Sequence, residues 1–202
     1  MARPRRELSS LDSYRVKWLE MSAPSFDPTL AVRFDLPKGS VRAGWPEDRI
    51  VLVPAAALRD ALGSAPAAAV DALGAAIGAG VGRRAAARML DPQASSLEEF
   101  ATQLAGEAAL AGLGKLAVER WGRALVLAFD DFPLPMGIVP SVASAAIEAA
   151  LGRKVWAVVL SLETHAARVL LTSEGAASRV RGWITGGMPW GDALVKLHQG
   201  AS

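Results

Sequence analysis

The chain has 202 residues, of which 51% are hydrophobic, so it is long enough to form one ordinary domain with a buried core. Its 22 basic and 20 acidic residues nearly balance, which argues against the broad positive field of a nucleic-acid-binding domain, and we expect no nucleic-acid partner. The lack of cysteine excludes disulfides, thiolate zinc sites, iron–sulfur clusters and cysteine nucleophiles, and it favours a reducing, cytoplasmic location.

Neither a secretory signal nor a transmembrane segment is predicted. Arg15, Lys17 and Glu20 interrupt the apolar positions near the N-terminus. The longest uncharged apolar run, residues 132–147, is shorter than the ~20 residues that span a bilayer, and it contains three prolines. The arginines within residues 3–6 are interpreted as a solvated basic tip, with contact to a phosphate or a membrane surface as the alternative.

Residues 1–48 are predicted to form an extended N-terminal arm. They combine five prolines with mixed charge and only short apolar pieces, too few to form an independent domain. Within them, the sequence YRVKWLEM at 14–21 fits either a short strand or a docking helix, and LAVRFDL at 30–36 alternates as a strand does. We expect this arm to wrap the main domain or a partner.

Residues 49–173 are predicted to form the main domain, and its helices come first. Pro54 suits the first position of a helix, Asp91-Pro92 ends one, and the sequence SSLEE at 95–99 is a doubled capping box. The predicted helices run from 54 to 63, from 66 to 90 and from 96 to 112.

Two pairs of strands with a helix between them complete this domain. The alternating segments 115–121 and 123–131 indicate one β-hairpin, and 154–162 with 167–173 indicate a second. The intervening helix, 140–152, begins with proline and ends at glycine. The predicted fold class is α+β, an antiparallel sheet of two hairpins with helices packed on it.

The last predicted unit is a C-terminal helical tail at 174–202, two short helices split by a glycine- and proline-rich break at 186–189. Trp183 and Trp190 flank this break. They either tuck the tail onto its own domain or present anchors to a partner, because tryptophan is enriched among interface hot spots. We include both in the predicted interface.

The glycine-rich stretch at 74–84 is not a nucleotide-binding loop. Gly78, Gly80 and Gly82 lack the spacing of a dinucleotide fingerprint, and no strand is predicted before them. Arg83 and its neighbours replace the lysine and hydroxyl residue that a Walker loop requires.

Gly74, Gly78 and Gly82 recur every four residues and form a bare ridge along one helix face. Each interior glycine weakens a helix by ~1 kcal/mol relative to alanine, so another element must approach this face closely. That element is either an internal neighbour, or a second subunit or ligand in a channel. The residues of the predicted interface on this helix are Gly74, Ile77, Gly78, Val81 and Gly82.

The order of elements, with the segments AAIGAGVGRRAA and SLEEFATQLAGEAALAGLGKLAVE, resembles the 4-vinyl-reductase-like domain family, distant relatives of TRAPP-type tethering subunits and haem-dependent nitric-oxide-binding domains. The resemblance lies within 49–173 and is carried by Gly82-Arg83, Gly112-Leu113-Gly114, Pro140 and Gly152-Arg153. It implies helices on an antiparallel sheet, dimerisation through helices and, in some members, an apolar ligand cavity. Members often carry cysteines, which this chain lacks, so the resemblance favours an adaptor over a metal-binding domain.

No residue has the surroundings of a catalytic group. His165 and His198 lack a partner at a metal-ligand spacing, and Asp130 and Asp131 are strand neighbours that point to opposite faces. We therefore predict no catalytic residues, no metal site and no cofactor.

These observations predict a non-catalytic interaction or scaffold subunit of a bacterial cytoplasmic complex, a homo- or hetero-oligomer that associates through its helical face and arm. The enrichment in alanine and glycine fits a GC-rich bacterial genome. The alternative is a small-molecule sensor that binds a lipid, a hydrocarbon or a tetrapyrrole in an apolar cavity. An enzyme is the least favoured class.

Overall fold

The computed structural model describes residues 25–29, 31–43, 48–121 and 124–199, and these contain two antiparallel sheets and six α-helices. In chain order the elements are β1 (Val32–Asp35), β2 (Ser40–Ala43), β3 (Asp48–Ile50), α1 (Ala55–Gly63), α2 (Ala67–Ala87), α3 (Leu97–Leu110), β4 (Lys115–Trp121), β5 (Ala124–Asp130), α4 (Val139–Leu151), β6 (Trp156–Leu162), β7 (Ala167–Thr172), α5 (Glu174–Thr185) and α6 (Trp190–Gln199). The predicted α+β class and both predicted hairpins are confirmed.

The larger sheet has the strand order β4-β5-β7-β6, with every neighbouring pair antiparallel. Pairing of β5 with β7 joins the two hairpins edge to edge, with Leu127 opposite Val169. Side chains alternate between the two faces, as the period of two requires. Leu127 therefore packs with the cluster formed by α2, α3 and α4, whereas Val126 packs with the cluster formed by α5 and α6.

Several helix ends lie where the sequence places them, and their local chemistry explains why. The hydroxyl of Ser96 accepts a hydrogen bond from the amide of Glu99 at 3.1 Å, which is half of the predicted capping box. Gly152 closes α4 with φ at 65°, a left-handed conformation that disfavours residues with a Cβ. The second helix ends at Ala87 rather than at 90, because the amides of Arg88 and Met89 bond three residues back and tighten the last turn.

The predicted arm contains a small sheet of its own. Strand β1 lies within the segment that alternates in sequence, and β1, β2 and β3 pair in that order. Because β3 spans Asp48–Ile50, the predicted boundary between arm and domain after residue 48 falls inside a strand. The segment 14–21 lies outside the described residues.

Helices α2 and α4 are packed together along the glycine ridge. A Cβ at Gly74 would lie 2.6 Å from Cγ1 of Ile138. One at Gly78 would lie 2.9 Å from Cα of Val142, and one at Gly82 would lie 3.0 Å from Cα of Ala146. The backbone of α4 thus occupies the space that side chains on this ridge would need, as the close approach predicted from the sequence requires.

The partner of the ridge glycines is a helix of the same chain, which is the internal alternative drawn from the sequence. Gly74, Gly78 and Gly82 are buried beneath α4. Val81 is buried in the main core cluster, and Ile77 is half-buried against it. Because α4 covers the three glycines, we assign them to an internal helix pair, while Ile77 keeps an exposed part.

We expect the ridge to tolerate no added methyl group. The substitution Gly78→Ala should lower the free energy of unfolding by about 1–3 kcal/mol, because the new Cβ overlaps the backbone of Val142 and the two helices must separate. Gly80→Ala is the matched control, since its Cβ would meet only the flexible end of Arg84 at 3.3 Å. Chemical denaturation of both variants measures the difference, and equal stabilities would contradict close packing of α2 on α4.

Candidate functional site

A buried carboxylate joins α2 to α3. Glu107 is 1% exposed and lies among apolar residues of α3. Its Oε2 accepts a hydrogen bond from Nε of Arg84 at 2.7 Å, and its Oε1 accepts one from Nε of Arg88 at 2.5 Å. We call these three residues the Arg–Glu–Arg cluster.

The cluster satisfies the charge that α3 buries. An unpaired carboxylate in an apolar interior is strongly unfavourable, and two charge-assisted hydrogen bonds on separate oxygens offset that desolvation. The arginines are themselves only 16% and 24% exposed, for Arg84 and Arg88 respectively, so solvent screens the contact weakly. No spacing in the sequence predicts this cluster. The sequence feature that hints at it is an acidic residue, Glu107, on the same helical stripe as the apolar residues Leu104 and Ala108. Arginines lie on the preceding helix.

Residues 25–29, which we call the arm segment, lie across the same place. The ring of Phe26 packs on Gly106 so closely that a Cβ there would overlap it. The guanidinium of Arg88 stacks over that ring at 4.3 Å from its centroid and also donates to the carbonyl oxygen of Asp27 at 3.0 Å. Arg88 therefore contacts the buried carboxylate of Glu107 through Nε, and the arm segment through Nη1 and the face of its guanidinium.

The arm segment has a short internal turn that fixes its shape. The amide of Thr29 donates to Oδ1 of Asp27 at 2.8 Å. Hydrogen bonds from the side chain and backbone of Thr29, with a smaller effect of the Arg88 charge, hold the pKa of Asp27 below its ordinary value. Because the pKa of Asp27 is lower in the folded than in the unfolded chain, its ionised carboxylate stabilises the fold at pH values above the ordinary pKa. This stabilisation is lost as the pH falls through the folded-state pKa.

Gln103 is the second buried polar side chain of α3. The residue is 8% exposed, and its amide makes no hydrogen bond to any other residue within the described ranges. No polar atom of the described side chains is both unpartnered and fully sealed from solvent, so the amide of Gln103 retains contact with solvent. On a helix, residues three and four apart are neighbours, which places Gln103 beside Gly106 and Glu107.

An open cleft of about 190 Å³ lies at the N-terminal end of α3, where it meets the end of α4. Its lining residues are Pro92, Gln93, Ser95, Ser96, Leu97, Phe100, Leu151 and Arg153. The serine hydroxyls are already used, since Ser95 donates to the carbonyl of Asp91 and Ser96 caps the helix. The cleft is smaller than the ~300–1,000 Å³ of typical small-molecule sites.

The two tryptophans of the tail are half-buried on the second face of the sheet. Trp190 meets Trp121 edge to face with centroids 5.8 Å apart, and the guanidinium of Arg168 lies 5.9 Å from its centroid. The ammonium of Lys196 lies 4.8 Å from the centroid of Trp183. The positions of Trp183 and Trp190 agree with the internal alternative, in which the two rings pack the tail onto its own domain.

The remaining sequence candidates lie at the surface, and the amide of Phe132, next to Asp131, donates to the carbonyl oxygen of His165 at 3.0 Å. His165, His198, Asp130 and Asp131 are all exposed. Among the residues that the structure describes, no three or more histidine and carboxylate side chains converge as metal ligands. Nor does any described helix have the length and apolar character needed to cross a bilayer.

Comparisons with known proteins bear on the fold. No family model and no curated protein matches the sequence. Among solved structures, the chain is similar to the crystal structure of the phenol-responsive sensory domain of the transcription activator PoxR with phenol, at a TM-score of 0.55 and 15% identity. The match covers 84% of this chain and 92% of that one. The two chains therefore share a fold over nearly the whole length of the sensory domain.

We expect the Arg–Glu–Arg cluster to be a major source of stability. Glu107→Gln removes the negative charge and leaves two guanidinium groups against each other, so the free energy of unfolding should fall by about 3–5 kcal/mol. Glu98→Gln, in the exposed first turn of the same helix, should change it by less than about 1 kcal/mol. Denaturant titration compares the two, and a loss for Glu107→Gln no larger than that of the control would contradict this role.

The contact between Phe26 and Gly106 gives a second test. In Gly106→Ala the new methyl group displaces the ring, so chymotrypsin should cleave after Phe26 faster than in the wild type. Gly182→Ala is the control, because a Cβ at that helical position meets nothing within 4 Å. Cleavage at the same rate in all three proteins would show that the ring does not hold the arm segment in place.

Proposed function

We propose that this chain is a small-molecule sensory domain of the 4-vinyl-reductase-like type, which binds its ligand without converting it. The observation that carries the proposal is the fold shared with a phenol-responsive sensory domain over 84% of this chain. The alternative drawn from the sequence, a sensor for an apolar molecule, therefore has more support than the scaffold subunit. Because fold does not determine function, the site must supply the rest of the argument.

Features of the helix layer support a binding role. Sensory domains need a polar group that fixes the orientation of a mainly apolar ligand, and α3 buries Gln103 and Glu107 among apolar side chains. The arm segment crosses the same part of α3, so a ligand there would be covered by a separate piece of chain.

The arrangement of the described polar residues supports binding rather than turnover. Glu107 is held between two arginines, and His165 with the adjacent Asp130 and Asp131 lies exposed at a turn of the sheet. A general acid or base must reach a substrate in a cleft, and none of these groups lies in the cleft beside α3. A bacterial cytoplasmic location, favoured by the composition, remains part of the proposal.

The scaffold function is the second candidate, and exposed apolar residues favour it. Phe34 is 61% exposed and Leu36 82%, while Val51, Leu52 and Val53 follow β3 with more than half of each side chain in solvent. Several exposed apolar side chains of this kind are typical of surfaces that contact another protein, whereas a single one is common on any surface. A sensor that also oligomerises would use both features.

Thermal denaturation with and without a panel of small aromatic molecules, phenol first, tests the sensory function. A ligand that binds only the folded state at 100 times its Kd adds about 2.7 kcal/mol and raises the Tm by several degrees. Aliphatic carboxylates and glycerol, at the same concentrations as the aromatic compounds, serve as controls. No shift with any aromatic compound at millimolar concentration would contradict the proposal.

Mass measurement in solution tests the second candidate separately. If the exposed apolar residues form a protein contact, Leu36→Ser together with Leu52→Ser should reduce the mass of the particle measured by light scattering. Leu90→Ser is the matched control, since Leu90 is fully exposed and lies far along the chain from this group. A wild-type particle with the mass of one chain would contradict a homo-oligomeric scaffold.

A further inference from the structure

Strand β4 forms a regular edge of the four-stranded sheet. Among the described residues only β5 pairs with it, and its seven residues do so in one unbroken register without a proline. The opposite edge is different, because the pairing of β6 shifts between Val159 and Ser161. Such a bulge disrupts the row of backbone groups that an added strand needs. Of the two edges, β4 is therefore the one suited to accept another strand.

The register of the first hairpin decides which backbone groups of β4 face outwards. Two residues separate Trp121 from its partner Ala124, and residues that flank a two-residue loop exchange hydrogen bonds with each other. Hydrogen-bonded and non-hydrogen-bonded pairs then alternate along the ladder. Leu116 and Val118 fall in the second class, so their amides and carbonyls are directed away from β5. No backbone group of another described element bonds to them.

One face of β4 carries opposite charges four residues apart. Lys115 and Glu119 lie on the face of Trp121, since alternate residues of a strand share a face. Lys115 is exposed and makes no ion pair within the described ranges. The carboxylate of Glu119 accepts a hydrogen bond from Nε1 of Trp121 at 3.2 Å and lies 3.7 Å from Nε of Arg168. Its side chain is 27% exposed, and its two oxygens have capacity for a further donor.

Two copies of β4 fit each other in one antiparallel register. With Ala117 opposite its own copy on a two-fold axis, Leu116 of each chain lies opposite Val118 of the other. These are the residues whose backbone groups face outwards, so each such pair exchanges two hydrogen bonds. In the same register Lys115 of each chain lies opposite Glu119 of the other, at non-hydrogen-bonded positions where side chains come closest.

We propose that residues 115–119 are a self-association surface, through which β4 pairs with β4 of a second copy and joins the two sheets into one. A lysine alone on an edge strand discourages pairing. Here the matched carboxylate at 119 turns the same charge into a selective contact, and two-fold symmetry satisfies it twice. This surface is separate from the exposed apolar residues that follow β3, and it concerns association rather than the ligand.

Sedimentation of the full chain over a range of concentrations tests this surface. The wild type should form a dimer. Lys115→Glu and Glu119→Lys each place like charges opposite one another, so each should weaken the dimer by at least about tenfold. An equimolar mixture of these two variants should recover the dimer, because both facing positions then hold opposite charges. Lys154→Glu, an exposed charge reversal just before the bulged strand β6, is the control and should keep the wild-type mass.

Circular dichroism of each variant establishes that it is folded. If Glu119→Lys does not fold, Lys115→Glu decides the test, because Lys115 makes no ion pair within the described part of its own chain. A wild type that keeps the mass of one chain up to millimolar concentration would overturn the inference. So would an undiminished dimer in Lys115→Glu, an equal loss of mass in Lys154→Glu, or a mixture of two folded variants that stays monomeric. None of these outcomes would affect the proposed sensory function.

Discussion

The close approach of α2 and α4 is the constraint on which the helix layer depends. Three glycines at intervals of four residues let the backbone of α4 lie where side chains would otherwise stand. A hydrogen bond from the hydroxyl of Ser141 to Asp71 at 2.8 Å fixes the register of the two helices. With α4 in this position, the C-terminal half of α2 is directed towards α3. Arg84 and Arg88 can then reach the buried carboxylate of Glu107.

The Arg–Glu–Arg cluster connects the packed helices to the arm segment at the surface. Arg88 binds the carboxylate through Nε, stacks on Phe26 and donates to the backbone of Asp27. A change in the spacing of α2 and α3 would therefore alter the groups that hold the arm segment. Under the proposed sensory function, this series of contacts would link α3 to a segment outside the core. These contacts form a continuous physical path. The path acts as a switch only if the arm segment has a second conformation.

The sequence predicts the elements well where local chemistry decides them. The capping serine at 96, the terminal glycine at 152 and the alternation of β4 to β7 are each visible in a few neighbouring residues. The glycine ridge predicts a close contact, but periodicity does not say whether the neighbour belongs to the same chain. Pairing of Glu107 with arginines, and of Gly106 with Phe26, joins residues far apart in sequence. No spacing rule reveals such contacts, so the candidate site emerges only from the folded chain.

The proposed sensory function requires that this fold carry a small-molecule site and not only surfaces for proteins. Native mass spectrometry of the protein purified from its own source tests it most directly, because no ligand need be guessed in advance. We expect a noncovalent adduct of small mass on the folded chain, with one adduct per chain, that is absent from the denatured chain. A folded chain that carries no adduct and appears only in stable complexes with other proteins would contradict it.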